Sequence, residues 1–311
     1  MVNVRFSLYR VEPIGDRLVT ETGADFDAAN YSRFKYGDGV LAEQYGRELA
    51  ARLLSAAPQC AAKGEPVVIA SAPYKYLPTA SHELALQVGR VINAVLAANG
   101  HRTVEIGALR MSRVDSTNYA KLDTVLRSET LAQAKLYVDP AEFAGRHVLL
   151  VDDARITGLA ETAATELVTA AGARSVTSLY VVQIVKNRAR IRPDIEDRIN
   201  HAFVRDLATL LEVFRSARFV LNIRTVKYVL GWPDRAEQDA FFARLTDAER
   251  SAIHDAARRT GPTFTRCYLE PLRRLRAASG RGSASGAGRG KLAAAGGPAP
   301  GSDGVPGSSD V

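Results

Sequence analysis

The chain reads as an α/β fold: a mainly parallel sheet with helices on both faces, followed by a C-terminal helical extension. Three observations predict it. Over the first 185 residues, short continuously apolar runs alternate with amphipathic helical stretches. The apolar runs suit strands buried on both faces of a sheet, and the intervening helices imply right-handed crossovers between parallel strands. Beyond Val185, apolar residues recur only at spacings of three and four, the helical period.

The elements follow in order. Val2 to Val11 and Arg17 to Glu21 predict an N-terminal hairpin, and Leu41, Tyr45, Leu49 and Leu53 mark one face of a helix. Pro66 to Ser71 (PVVIAS) is a buried strand. After the loop Ala72 to Ala80, a helix opens with Ser81 as its N-cap, carries Leu84, Val88, Ile92 and Leu96, and stops at Asn99-Gly100. Arg102 to Met111 is a second strand, and Ser112 to Ala134 is polar. Gly145 to Val151 is a third strand, Ala160 to Ala171 a helix stopped by Gly172, and Ser175 to Ile184 a fourth strand. In the extension, Ile195, Ile199, Phe203, Leu207, Leu211 and Phe214 form one stripe, and Ile223, Val226 and Leu230 another. Thr246 with Glu249 is a capping box opening a helix that ends near Gly261-Pro262, and a last helix covers Phe264 to Arg276. The expected organisation is a core over 1–185 with its N-terminal hairpin, an extension over 186–276 packed on it, and a tail over 277–311. That tail has no aromatic residue and holds 10 of the 24 glycines. It cannot bury enough apolar surface to offset chain entropy, so disorder is expected.

Composition excludes several classes. Two cysteines in 311 residues build no disulfide framework, which favours a reducing cytoplasm. No apolar run reaches the length of a membrane span, and MVNVRFSLYR lacks the apolar region of a signal peptide. The five histidines show no HxxxH or HExxH spacing, which argues against zinc. The formal net charge is +7, but it is unevenly spread: residues 1–185 carry −1, residues 186–276 carry +7 and the tail +1. The excess lies in runs such as Lys186 to Arg192 and Arg273 to Arg276. A solvated helical surface is the default reading, and a surface for RNA or an acidic partner is the less favoured one.

The chemistry is concentrated in Val148 to Gly172. A buried strand ends in Asp152 and Asp153, and a turn with Thr157 and Gly158 leads into a helix. In open α/β sheets ligands bind beyond the carboxyl ends of strands. The N–H groups at a helix start, with the helix dipole, favour an anion there. Two carboxylates beside an anion site make sense if they face hydroxyl groups or a metal-bound sugar. A ribose 5-phosphate has both an anionic end and a diol.

This pattern resembles the signature of the type I phosphoribosyltransferases, in which four apolar residues and an acidic pair precede a Thr-Gly turn. The resemblance implies that Asp152 and Asp153 hold the ribose of phosphoribosyl diphosphate, directly or through waters on Mg²⁺. It implies that Ala154, Arg155, Ile156, Thr157, Gly158, Leu159 and Ala160 surround the 5-phosphate. By the same match, APYKYLPTAS from Ala72 is the diphosphate loop, with Lys75 as a catalytic cation and Ala72, Tyr74 and Tyr76 around it. The polar stretch is a closing loop, with Arg113, Lys121 and Arg127 as anion contacts. The bland reading makes Lys75 a solvated lysine, and leaves one of the three loop cations functional. More narrowly, YSRFKYGDG (Tyr31 to Gly39), DDARITG and NIRTVKYVL (Asn222 to Leu230) resemble the phosphoribosyltransferase subfamily of bacterial tellurite-resistance gene clusters. Tyr31 to Gly39 is then a hood over the acceptor; alternatively it is a loop packing its aromatics on the core.

The implied reaction moves ribose 5-phosphate from phosphoribosyl diphosphate to a nitrogen acceptor, nucleobase-like, with Mg²⁺ and release of diphosphate. Asp153 would take the acceptor's proton. The chain departs from the pattern: Arg155 replaces an aliphatic residue, Ile156 a small or polar one, and Ala160 a hydroxyl residue. A hydroxyl bond to a charged group contributes about 1.5–3 kcal/mol. These departures keep open a non-catalytic sensor of phosphoribosyl diphosphate or nucleotide, or an RNA-binding regulator, on the same scaffold. A Mg²⁺ phosphohydrolase would need a nucleophilic Asp or a ligand set that the sequence does not assemble. The expected partners are the donor and an unknown acceptor, with no membrane, and a homodimer is left open.

Overall fold

The computed structural model describes residues 4–57, 66–111, 136–185 and 194–278. Its strands are β1 (Val4–Ile14), β2 (Arg17–Thr20), β3 (Val67–Ser71), β4 (Glu105–Gly107), β5 (Arg110–Met111), β6 (Leu136–Tyr137), β7 (His147–Arg155) and β8 (Ser175–Ile184). Six form one sheet in the order β2-β1-β8-β7-β3-β4, and β5 pairs with β6. Within the six-stranded sheet every neighbouring pair is parallel except β1 with β2. The predicted hairpin exists, and its first strand also joins the main sheet, with Phe6 opposite Leu179 and Val11 opposite Ile184.

The helices of the core are α1 (Ala28–Lys35), α2 (Gly39–Ala56), α3 (Ala80–Ala98), α4 (Pro140–Phe143) and α5 (Leu159–Ala170). Strand alternation decides what each face buries. Val67, Ile69, Leu149 and Val151 pack with Tyr45, Leu49 and Leu53 of α2 and Leu84, Val88 and Ile92 of α3. Val68, Ala70, Val148 and Leu150 pack on the opposite face, with Ala164 and Val168 of α5 and Phe143 of α4. The sheet is therefore covered on both faces, as a near-continuous apolar run requires.

Four expectations need correction. Arg102 to Met111 is two short strands, because β4 pairs with β3 and β5 with β6. The strand before the Thr-Gly turn does not stop at Val151 but runs through the acidic pair to Arg155, still paired with β8. Thr79, not Ser81, caps α3, accepting from the His82 N–H. Tyr31 to Gly39 packs its aromatics on the core but is only partly a loop: Asp27 caps α1, which ends at Lys35, residues 36–38 turn into α2, and Tyr31 and Phe34 are buried, Phe34 edge-on to Tyr45 at 5.5 Å.

The extension comprises α6 (Ile195–Asn200), α7 (Leu207–Phe214), α8 (Ile223–Leu230), α9 (Arg235–Arg244), α10 (Asp247–Thr260), α11 (Pro262–Cys267) and α12 (Leu269–Ala277). The stripe from Ile195 to Phe214 breaks into two helices because the chain between them turns to meet α1: Val204 N–H donates to Ser32 Oγ, which donates to the Asn200 carbonyl. The capping box at Thr246 and Glu249 is formed. The last predicted helix is also two, hinged at Tyr268. These helices bury an apolar cluster of their own, including Leu210, Phe214, Val229, Phe242 and Ile253, which Tyr36 of the core joins.

One topological fact positions the site. From β3 the chain crosses one face through α3 to β4; from the neighbouring β7 it crosses the other face through α5 to β8. The two chains part where Ser71 lies opposite Val151, and such a divergence opens a crevice beyond the strand ends.

Candidate functional site

A cavity of about 790 Å³ occupies that crevice, with the extension forming its far wall. The three segments singled out in the sequence meet there. Lys35 and Tyr36 come from the first, all seven residues of DDARITG from the second, and Ile223, Arg224, Lys227 and Tyr228 from the third.

Asp152 and Asp153 lie on adjacent positions of β7 yet in different surroundings. Asp153 is 8% exposed. Its Oδ2 forms an ion pair with Lys35 Nζ, and its Oδ1 accepts from the Tyr31 hydroxyl at 3.3 Å. Asp152 keeps some exposure to the cavity, accepts from the Asp153 N–H at 2.8 Å, and bonds Ser81. Burial among protein atoms, with the charge of Asp153 beside it, pushes Asp152 up to about 7. Lys35 and the two hydrogen bonds offset this only in part. Two neighbouring carboxylates are thus differentiated, one held by donors and one proton-sensitive near neutrality.

The turn after β7 leads into the start of α5. Gly158 has φ +87° and precedes α5 without a side-chain cap. Among the described residues, no backbone acceptor is found for the N–H groups of Thr157 and Gly158, and Thr157 Oγ1 accepts from Leu159 N at 3.4 Å. Arg155, where the type I pattern has an aliphatic residue, folds back over this turn. Its Nε donates to Glu161 at 2.6 Å, and Nη2 lies so close to Gly158 that a Cβ there would sit 2.6 Å away. A guanidinium therefore stands beside Gly158 in the turn. Gly158→Ala is expected to cost about 1–2 kcal/mol for the left-handed backbone and to displace Arg155. Thermal unfolding and titration with phosphoribosyl diphosphate measure the two effects; unchanged binding would show that Arg155 takes no part in holding that ligand.

The loop from Ala72 to Ala80 reaches the cavity only in part. Ala72 lines the cavity, with Thr79, Ala80 and Ser81 at the start of α3. Tyr74, Lys75 and Tyr76 do not line it. Lys75 Nζ sits 5.1 Å from the centre of the Tyr76 ring, which is 57% exposed, and Tyr74 packs on His82 at 4.7 Å. Burial, with the charge of Arg110, pushes His82 down to about 4, so it is neutral at pH 7. Arg113, Lys121 and Arg127 lie outside the described residues, as does the run Lys186 to Arg192.

Sequence reasoning missed the far wall. Tyr36, His201, Tyr228 and Trp232 form an aromatic group: Tyr36 meets Tyr228 edge-on at 5.0 Å, Tyr228 stacks on His201 at 6.0 Å and meets Trp232 at 5.2 Å. Arg224 lies 5.9 Å from the Tyr36 ring centre and hydrogen-bonds its hydroxyl. The signal was present in NIRTVKYVL, where Arg224, Lys227 and Tyr228 share one helical face. Lys35 was missed too; its cue was a lysine set between Phe34 and Tyr36. Among the described residues no three His, Cys, Asp or Glu side chains converge on a metal position, and no helix is long and apolar enough to cross a membrane.

The family model described as PRTase ComF-like matches residues 2–268. The chain belongs to this family. Its sheet, the acidic pair at a strand end and the Thr-Gly turn agree with the type I phosphoribosyltransferase fold expected from the signature. No curated protein sequence matches the chain significantly. Among solved structures, it is similar to a hypoxanthine phosphoribosyltransferase from Staphylococcus aureus, with 15% identity, a TM-score of 0.27, and coverage of 47% of this chain and 65% of that one. A purine phosphoribosyltransferase from Pyrococcus horikoshii gives 13% identity, a TM-score of 0.27, and coverage of 46% and 84%. The hypoxanthine enzyme of Trypanosoma cruzi gives 15%, 0.33, 49% and 69%. This PRTase ComF-like chain therefore spans just under two thirds of the first of these.

Proposed function

We propose that the cavity transfers ribose 5-phosphate from phosphoribosyl diphosphate to a nitrogen heterocycle. The observation that carries this reading is the convergence on one cavity of a glycine turn at a helix start, an acidic pair and an aromatic wall. The 5-phosphate lies on the turn from Ile156 to Ala160 beside Arg155, and the ribose hydroxyls face Asp152 and Asp153. The heterocycle stacks among Tyr36, Tyr228 and Trp232, whose faces suit a planar ring. The C1–O bond to diphosphate breaks as the acceptor nitrogen forms the C1–N bond. Positive charge develops on the ribose ring in between, and the two carboxylates stabilise it. The nitrogen's proton goes to Asp152, since Asp153 is ion-paired with Lys35 whereas burial and the charge of Asp153 raise Asp152 to about 7. The start of α3 takes over the role expected of Lys75, offsetting charge on the departing diphosphate.

Mg²⁺ fits as a companion of the donor rather than a resident ion. Asp153 is paired with Lys35, whereas among the described residues no side-chain ion pair holds Asp152, consistent with contact of Asp152 to the metal's waters. When bound, Mg²⁺ would neutralise the diphosphate. The narrower tellurite-cluster reading is supported by the meeting of its three segments at one cavity. The missing hydroxyl at Ala160 favours a second reading, a sensor that binds the donor without turnover.

The test incubates the full chain with phosphoribosyl diphosphate, Mg²⁺ and a panel of nucleobases, small nitrogen heterocycles and cell extract. Mass spectrometry of ribosylated products and diphosphate release are the readouts. Transfer is expected. Donor binding without any product selects the sensor, and absence of donor binding removes both readings.

A further inference from the structure

We propose that Lys35 is a positioning residue of this reaction: it sets the orientation of the Asp153 carboxylate, and the helical extension holds Lys35 in place. The proposal rests on the functional reading above. Lys35 and Tyr31 stand one helical turn apart on α1, and they reach different oxygens of the same carboxylate. Two donors on two oxygens fix its rotation about χ2, while each oxygen keeps a second lone pair for a ligand. Lys35 and Asp153 are each 8% exposed, and both line the cavity. A buried ion pair stabilises a fold poorly, because desolvation cancels most of its attraction. Its effect here is geometric.

The second half of the proposal concerns what holds Lys35. It is the last residue of α1, and the backbone that follows is stitched to the extension. The carbonyl of Lys35 accepts from Asn222 Nδ2 at 3.1 Å, and that of Tyr36 from Thr225 Oγ1 at 2.8 Å. The Gly37 carbonyl accepts from the Val220 N–H at 2.8 Å, and the Gly39 N–H donates to the Arg218 carbonyl at 2.7 Å. Gly37 has φ +108°, and any Cβ there would collide with the Val220 carbonyl. The seam therefore requires glycine and leaves α1 no freedom to slide. Asn222, a buried N-cap of α8, serves two tasks: it starts the helix that presents Arg224 and Tyr228 to the cavity, and it clamps the lysine that orients Asp153. Donor side and acceptor side are thus tied through one residue.

The experiment compares Lys35→Met, Lys35→Arg, and the neutral pair Lys35→Met with Asp153→Asn, all in the full chain. It measures kcat, donor KM, donor affinity by calorimetry and Tm. Misorientation of a reacting group costs about 10²-fold. Lys35→Met is expected to lose about that factor in kcat, with donor KM changed by less than about threefold, and Lys35→Arg to recover at least about a tenth of the activity. The neutral pair guards against misfolding: it is expected to regain Tm but not kcat. Asn222→Ala is expected to lower kcat in the same sense. A fall confined to Tm, or full activity in Lys35→Met, overturns the positioning role while leaving the transferase reading intact. A wild-type chain that binds no donor overturns the functional reading, and this proposal with it.

Discussion

Asp152→Asn and Asp153→Asn are each expected to reduce phosphoribosyl transfer by about 10²- to 10³-fold and to move stability in opposite directions. Asn at 152 keeps the oxygen that accepts the Asp153 N–H, so local structure survives. The folded value of Asp152 is raised from 3.8 to about 7 by burial and by Asp153. The native chain therefore binds more protons than the unfolded chain between those values, and stability falls as pH rises through that window. Removing the charge should raise Tm at about pH 8 and leave it nearly unchanged at about pH 4. Asn at 153 does the reverse. It leaves the buried Lys35 ammonium without its counter-charge, a loss of about 3–5 kcal/mol, and Tm falls. The double variant is inactive, with a total below the product of the singles because the residues act on one ribose. Thermal unfolding at the two pH values and initial rates check all three. Equal Tm changes would mean that the two carboxylates are not differentiated as described.

The parts of this molecule legible in the sequence are those decided locally. Ser175 to Ile184 is a strand with both ends as expected, because an apolar run bounded by Gly172 and by polar chain needs no partner to be recognised. The capping box of Thr246 and Glu249 is a three-residue interaction and was equally plain. The acidic pair and Gly158 are neighbours in sequence, so their chemistry could be inferred before their geometry. What was hidden depends on partners far along the chain. Lys35 reaches Asp153 across 118 positions, and nothing in FKYGDG announces an acidic partner. The break between α6 and α7 is dictated by Ser32, 172 positions from Val204. The stripe of apolar residues continues through the break, because both helices bury the same kind of surface. The aromatic wall is of the same kind. Tyr36 and Tyr228 make their 5.0 Å contact only once the extension has docked. Lys75 is a further case: its place after a strand suggested a ligand contact, and the loop sets it over the Tyr76 ring, away from the residues that line the cavity.

Glu161→Gln is expected to weaken donor binding through Arg155. Glu161 is buried in the first turn of α5 and accepts from Arg5 Nε at 2.5 Å and Arg155 Nε at 2.6 Å. Burial alone would raise its pKa. The hydrogen bonds and charges of Arg155 and Arg5 outweigh it, and the net value is below 4.5. The sign follows from that depression. The carboxylate's stabilising contribution is complete above the ordinary value and is lost as pH falls through the folded one. Gln keeps an acceptor but removes the charge, and the two arginines are affected unequally. Arg5 is 43% exposed along its side chain and is resolvated, so Arg5→Ala should cost less than about 1 kcal/mol. Arg155 is only 10% exposed, and an unpaired guanidinium there costs about 3–5 kcal/mol unless it swings away from Gly158 to reach water. Either response removes a cation from the turn. Donor affinity should fall about tenfold or more, the worth of one hydrogen bond to a charged group, while the acceptor KM is unaffected. Calorimetric titration of the donor, with Arg5→Ala as the control, reads this directly. A Glu161→Gln chain that loses stability yet binds donor as tightly as wild type would make Arg155 a structural residue and leave the turn's N–H groups as the whole of the phosphate site.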